Sequence, residues 1–159
     1  MERAAEVPPQ IASKAAHAPR GRAGTIDRVV GGLLAAMCLT VLLLAARIEP
    51  SPFGHGTHTQ LGLPACGWVQ MFHKPCMTCG MTTAFAHAAR LDLWASFKTQ
   101  PMGCVLAVAS AVLFWAGLAV AVFGFQLGQL ALRLLTARFG ILLAVGLAAA
   151  WAYKWVTWE

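Results

Sequence analysis

The chain has 159 residues, 58% hydrophobic and only 11% charged, with a mean hydropathy of +0.65. Soluble domains carry about a quarter charged residues, so the composition excludes an ordinary soluble enzyme domain, and the length leaves little chain for one beside several membrane spans. The formal net charge of +6 suits nucleic acid in sign alone, since no aromatic interleaving or DNA-binding motif accompanies it. A cationic flank drawn to anionic lipid is the reading the pattern favours, with no nucleic-acid partner.

Residues 1–27 are rich in Ala, Pro and charge (MERAAEVPPQIASKAAHAPRGR). They lack helical apolar periodicity and read as a disordered basic tail. A basic tail before an apolar run also resembles a signal peptide, and Leu44-Ala45-Ala46 offers a small-x-small end. The run is longer than a signal core, however. The first span is predicted over 28–47 around the uncharged run Val29 to Ala46, long enough at ~1.5 Å per residue to cross a ~30 Å hydrocarbon layer. A second span is predicted over 101–125, opened by Pro101, and a third over 139–156 after a short basic loop, 126–138. Trp151, Tyr153, Trp155 and Trp158 crowd the end of the third as an aromatic belt, with Lys154 expected to snorkel. Gly31, Gly32, Ala35 and Ala36 in the first span, and Ala107, Ala111, Gly117 and Ala121 in the second, have the spacing that lets helices approach closely in lipid. Plain membrane composition would also supply them.

The tail and second loop hold seven Lys/Arg residues against five for the first loop and C-terminus. Arg20, Arg22 and Arg28 lie close to the first span, so the N-terminus is expected in the cytoplasm and the first loop outside.

About 55 residues separate the first two spans, long enough for a loop with a function or structure of its own. Its beginning, EPSPFGHGTHTQLGLPACGW, should be irregular. From Gly80 to Lys98, Met81, Phe85, Ala88, Ala89, Trp94 and Phe97 keep helical spacing opposite Thr83, His87, Arg90 and Asp92. This predicts an amphipathic helix lying on the membrane surface or packed against the spans.

Three cysteines precede that helix: Cys66, Cys76 and Cys79. A C-x-x-C turn brings two sulfurs close, so it chelates a soft metal or closes a disulfide. Gly80 supplies backbone freedom just after Cys79, which falls at a helix N-terminus where thiolate is favoured. Three readings stand. In the first, Cys66, Cys76 and Cys79 bind a metal with His73 as the easiest fourth ligand, a donor set zinc accepts. His87 lies ~12 Å along a regular helix from Cys79 and is a poor fourth ligand, and His55 and His58 are more simply solvated loop residues. In the second, Cys76 and Cys79 form a reversible disulfide with Cys66 as resolving thiol. In the third, the cysteines statically pin the loop. Cys38 and Cys104 lie in apolar runs and pack as small hydrophobes.

No nucleotide-binding glycine loop, H-E-x-x-H or G-x-S-x-G occurs, and Glu49 and Asp92 are too far apart in sequence to support a paired-carboxylate hydrolase. The leading expectation is therefore a non-enzymatic membrane protein. Its three-cysteine loop binds a metal or locks a surface for a membrane-protein partner or a second copy. A membrane thiol–disulfide oxidoreductase is the alternative and a small transporter or channel component the third, since no span carries a central charge.

Cys66 followed by Pro75-Cys76-x-x-Cys79-Gly80-Met81-Thr82 resembles the bacterial membrane family called domain of unknown function 2752. Its box has the form Cys-Pro-x-Cys-Gly-x-Thr-Arg, followed by a short helix and an Asn-Pro or Gln-Pro pair that opens a span. Here Gln100-Pro101 stands at that place, and the likeness runs from about Cys66 to Gly103. Met77 replaces a common proline and Thr83 a common arginine. An activity resting on that arginine is then lost here or falls to Arg90. The resemblance implies a multi-pass protein of a bacterial inner membrane and assigns no reaction.

Overall fold

The computed structural model describes residues 23–125 and 137–158, and it is all-helical, with no strand among the described residues. Most of the tail and of the second loop fall outside them. Three helices are long and apolar enough to cross a membrane: α1 (Thr25–Arg47), α5 (Pro101–Phe123) and α6 (Ala137–Val156). They place the chain among multi-pass membrane proteins. Between α1 and α5 lie a 3-10 turn (Thr57–Leu61) and three short helices, α2 (Gly67–Phe72), α3 (Met81–Ala89) and α4 (Leu93–Thr99).

Helices α1 and α5 form the backbone of the fold. Gly31, Ala35 and Cys38 of α1 and Ala107 and Gly117 of α5 are buried. The fit is set by missing side chains. A Cβ on Gly31 would stand 3.0 Å from the Gly117 carbonyl, and one on Gly117 would stand 2.6 Å from the Gly31 carbonyl. Without a hydrophobic force between helices in lipid, such close contact supplies their attraction. Their ends away from the small-helix layer are tied by polar bonds. Arg28 donates to the carbonyls of Ala121 (2.9 Å) and Val122 (3.1 Å), and Ala23 N–H donates to the Gly124 carbonyl (2.9 Å). These are the carbonyls a helix C-terminus leaves unpaired. α1 starts a turn before the expected apolar run because the Asp27 carboxylate accepts the Gly24 N–H at 3.0 Å.

The stretch expected as one amphipathic helix from Gly80 to Lys98 is two. Leu91 takes a left-handed backbone (φ 64°), and the Asp92 carboxylate caps α4 by accepting the Ala95 N–H at 3.0 Å. α3 is held among α1, α4 and α5, with Thr83, Ala84 and Ala86 fully buried. Ser96 of α4 donates to the Ala84 carbonyl at 2.7 Å inside this contact. An Asp92→Ala variant is expected to lose about 0.5–2 kcal/mol, the usual cost of an N-cap. Denaturation in detergent should show it as a lowered midpoint, and an unchanged midpoint would mean that the cap adds nothing.

The end of α6 meets this small-helix layer. Trp151 Nε1 donates to the Pro75 carbonyl (3.1 Å), and Tyr153 donates its hydroxyl to the Lys98 carbonyl (3.0 Å). His55 stacks on Trp158 with ring centroids 4.6 Å apart, and the Lys74 ammonium lies 5.4 Å from the Trp155 ring centre. Lys154 does not snorkel. It is 6% exposed, and its ammonium donates to the carbonyls of Gly54 (3.3 Å) and Thr99 (3.2 Å). The loop covers the end of α6, so backbone carbonyls take the place that water was expected to fill.

Candidate functional site

The three loop cysteines line one cavity of about 630 Å³ between the C-terminal half of α1 and the small-helix layer. Val41, Leu44 and Ala45 of α1, with Ile48 just past its end, form its aliphatic wall. His55, His58, Thr59, Thr78, Thr82 and Thr83 add polar groups.

Local structure explains how the sulfurs come together. Cys66 precedes α2, and His73 ends that short helix in a left-handed backbone (φ 51°), reversing the chain. Cys76 to Cys79 then form a tight turn, with the Cys79 N–H donating to the Cys76 carbonyl at 3.0 Å. Gly80 follows at φ 85°, where a Cβ would stand 2.7 Å from the Gly54 carbonyl, so glycine is required twice over. The result places Cys66 Sγ and Cys76 Sγ 3.6 Å apart. All three cysteines are free thiols in this structure.

The thiols are unequal. Burial acts to raise the Cys76 thiol. Hydrogen bonds from the Thr78 side chain and backbone, and from Cys66 and Cys79, outweigh it and hold Cys76 below the ordinary thiol value. The Thr78 hydroxyl lies 3.6 Å from its sulfur. Cys79 is buried, and that burial, followed by the neighbouring Cys76, pushes its thiol up to about 11. Helix α3 does begin just beyond Cys79, as expected, but burial outweighs any help from the helix end. His55 is held below its usual value, first by burial and then by the Lys154 charge, so it is neutral at neutral pH.

Of the four residues read as a metal set, Cys66, Cys76 and Cys79 share the cavity, whereas His73 is exposed at the end of α2 and does not line it. Among the described residues, no group of three or more His, Cys, Asp or Glu side chains is placed to hold a metal ion. His87 lies 4.0 Å from Asp92, and His58 contacts the Pro64 carbonyl at 3.2 Å. Cys38 is buried on α1, and Cys104 is buried with its sulfur 3.7 Å from the Leu93 carbonyl.

Two positions gain a role that the sequence did not show. Thr83 is buried with its hydroxyl 2.7 Å from that of Thr57, and Thr57 accepts the Ser51 N–H at 3.0 Å. This chain of bonds fixes the loop over the cavity. Arg90 donates to the carbonyls of Ile48 (2.7 Å) and Ala86 (3.1 Å), joining the end of α1 to α3. It is engaged as a brace and lies outside the cavity lining. A threonine in an apolar-polar run gives no sign of its partner 26 positions away, so only the tertiary arrangement reveals the pair.

No curated protein and no solved structure matches the chain. The matched family region begins at the first cysteine of the site and ends within α5: residues 66–115 match the family described as Protein of unknown function (DUF2752).

Proposed function

We propose that this is a membrane thiol–disulfide protein in which Cys66 and Cys76 close a reversible disulfide in the lining of the cavity. The 3.6 Å separation of their sulfurs carries this reading. A disulfide needs ~2.05 Å between sulfurs, and two free thiols already in contact reach it with small side-chain rotations. Cys76 is the attacking thiol, because attack requires thiolate and its hydrogen bonds favour that form. Cys79 stays protonated and acts as neighbour, not partner. The static-lock reading uses the same bond and differs only in whether it opens. With the basic flank of α1 held in the cytoplasm of a bacterial inner membrane, the cysteine layer faces the outside, where disulfides persist.

The test is a redox titration of purified, detergent-solubilised protein, with thiol counting, peptide mapping and elemental analysis. One Cys66–Cys76 disulfide is expected, opening between about −300 and −120 mV, the range of exchanging rather than static bonds. Cys66→Ser and Cys76→Ser should abolish it, and Cys79→Ser should preserve it. In the reduced protein, alkylation should reach Cys76 at a lower pH than Cys79, which reacts only towards about pH 11. Near-stoichiometric zinc that is lost in Cys76→Ser would overturn this reading in favour of Cys66, Cys76, Cys79 and His73 as a metal centre.

A further inference from the structure

The cavity has two chemically different walls. One is aliphatic and comes from the last turns of α1, a membrane span that ends at Arg47, and the residue after it: Val41, Leu44, Ala45 and Ile48. The other carries the sulfurs of Cys66 and Cys76. Its volume of about 630 Å³ lies within the ~300–1,000 Å³ of small-molecule sites. A dithiol that closes releases two electrons and two protons, which an acceptor must take. The acceptor that meets both an aliphatic wall at span depth and a sulfur pair is a lipid-soluble one. Its polar atoms find His55 and Thr82 in the same lining.

We propose that this cavity binds a lipid-soluble quinone, which oxidises the Cys66/Cys76 dithiol. This rests on the thiol–disulfide reading above. Two S–H bonds break and one S–S bond forms. The two quinone carbonyl oxygens each gain a hydrogen, giving the quinol, so the two electrons and two protons balance. The aliphatic wall holds the ring beside the sulfurs, and the neutral His55 and the Thr82 hydroxyl supply hydrogen bonds to its oxygens.

The test uses the full chain in lipid nanodiscs, fully reduced and freed of reductant without oxygen. A short-chain ubiquinone analogue is added, and its absorbance and the free thiols are followed together. About one quinone reduced per chain is expected, with loss of two thiols and appearance of the Cys66–Cys76 peptide. Val41→Trp, which fills the cavity from α1, should slow this at least about tenfold. Leu44→Phe serves the same purpose should the larger side chain prevent folding. Trp115→Ala, on an exposed face of α5 outside the cavity, should keep the wild-type rate. Oxidised glutathione provides the separating control. Closure of the bond by glutathione with no quinone reduction overturns the quinone site and leaves the thiol–disulfide reading standing. Closure by neither overturns both. Quinone-driven closure at an equal rate in the cavity-filling variants removes the cavity as the site, as does recovery of a phospholipid acyl chain bound there that the quinone fails to displace.

Discussion

Gly117→Leu is expected to unfold the α1–α5 pair. A Cβ at this position would lie 2.6 Å from the Gly31 carbonyl oxygen and 3.2 Å from the Ala35 nitrogen. Both are backbone atoms, so no side chain can swing away, and the helices must separate. Overpacking a well-fitted contact costs about 1–3 kcal/mol, occasionally more. A clash between backbones belongs at the upper end. Separation also strains the bonds from Arg28 to Ala121 and Val122, which depend on the same register. Thermal unfolding in detergent should show a large loss of midpoint, and buried Cys38 should become open to alkylation. Gly140→Leu is the control, because a Cβ there meets nothing within 4 Å. Equal midpoints for Gly117→Leu and Gly140→Leu would mean that the seam does not hold these helices together.

The spans were legible because lipid imposes a long uncharged run, and composition alone finds one. Their ends were less so. α1 gained a turn through Asp27 and Arg28, whose partners are a local N–H and carbonyls more than 90 positions away. The split between α3 and α4 had a visible signal, since Asp92 stands directly before an apolar run as a helix cap does. Continuous apolar spacing across Leu91 masked it. α2, only six residues long, offers too little periodicity to be read.

At the site, sequence singled out three cysteines that the fold brings to one cavity, but it could not choose among their pairings. Proximity along the chain favours Cys76 with Cys79. The reversal at His73 instead returns Cys66 to Cys76 from ten positions away. The cavity itself was not legible at all, because its aliphatic wall is lent by α1, which in sequence looks like any other lipid-facing helix. The same span that crosses the membrane therefore also lines the cavity that holds the sulfurs.

Lys154→Met should loosen that site from the opposite side. The methionine keeps much of the apolar stem but leaves the Gly54 and Thr99 carbonyls without the ammonium that now serves both. Hydrogen bonds to a charged group contribute about 1.5–3 kcal/mol each, so a loss of at least about 2 kcal/mol is expected at neutral pH, read as a lowered unfolding midpoint and faster proteolysis between residues 50 and 80. The variant also changes the response to acid. His55 is depressed by burial and by Lys154, so in the wild type the neutral ring contributes stability above its ordinary value of about 6.5, and that contribution is lost as pH falls through the lower folded value. Removing the Lys154 charge brings the folded value back towards the ordinary one. The additional loss of midpoint between about pH 7 and pH 5 should therefore be smaller in Lys154→Met than in the wild type, and the fluorescence of Trp158, stacked on His55 at 4.6 Å, should report protonation at a higher pH. Equal midpoints at neutral pH for the two proteins would show that the buried ammonium does not hold the loop to α6, and an unchanged acid response would separate His55 from Lys154.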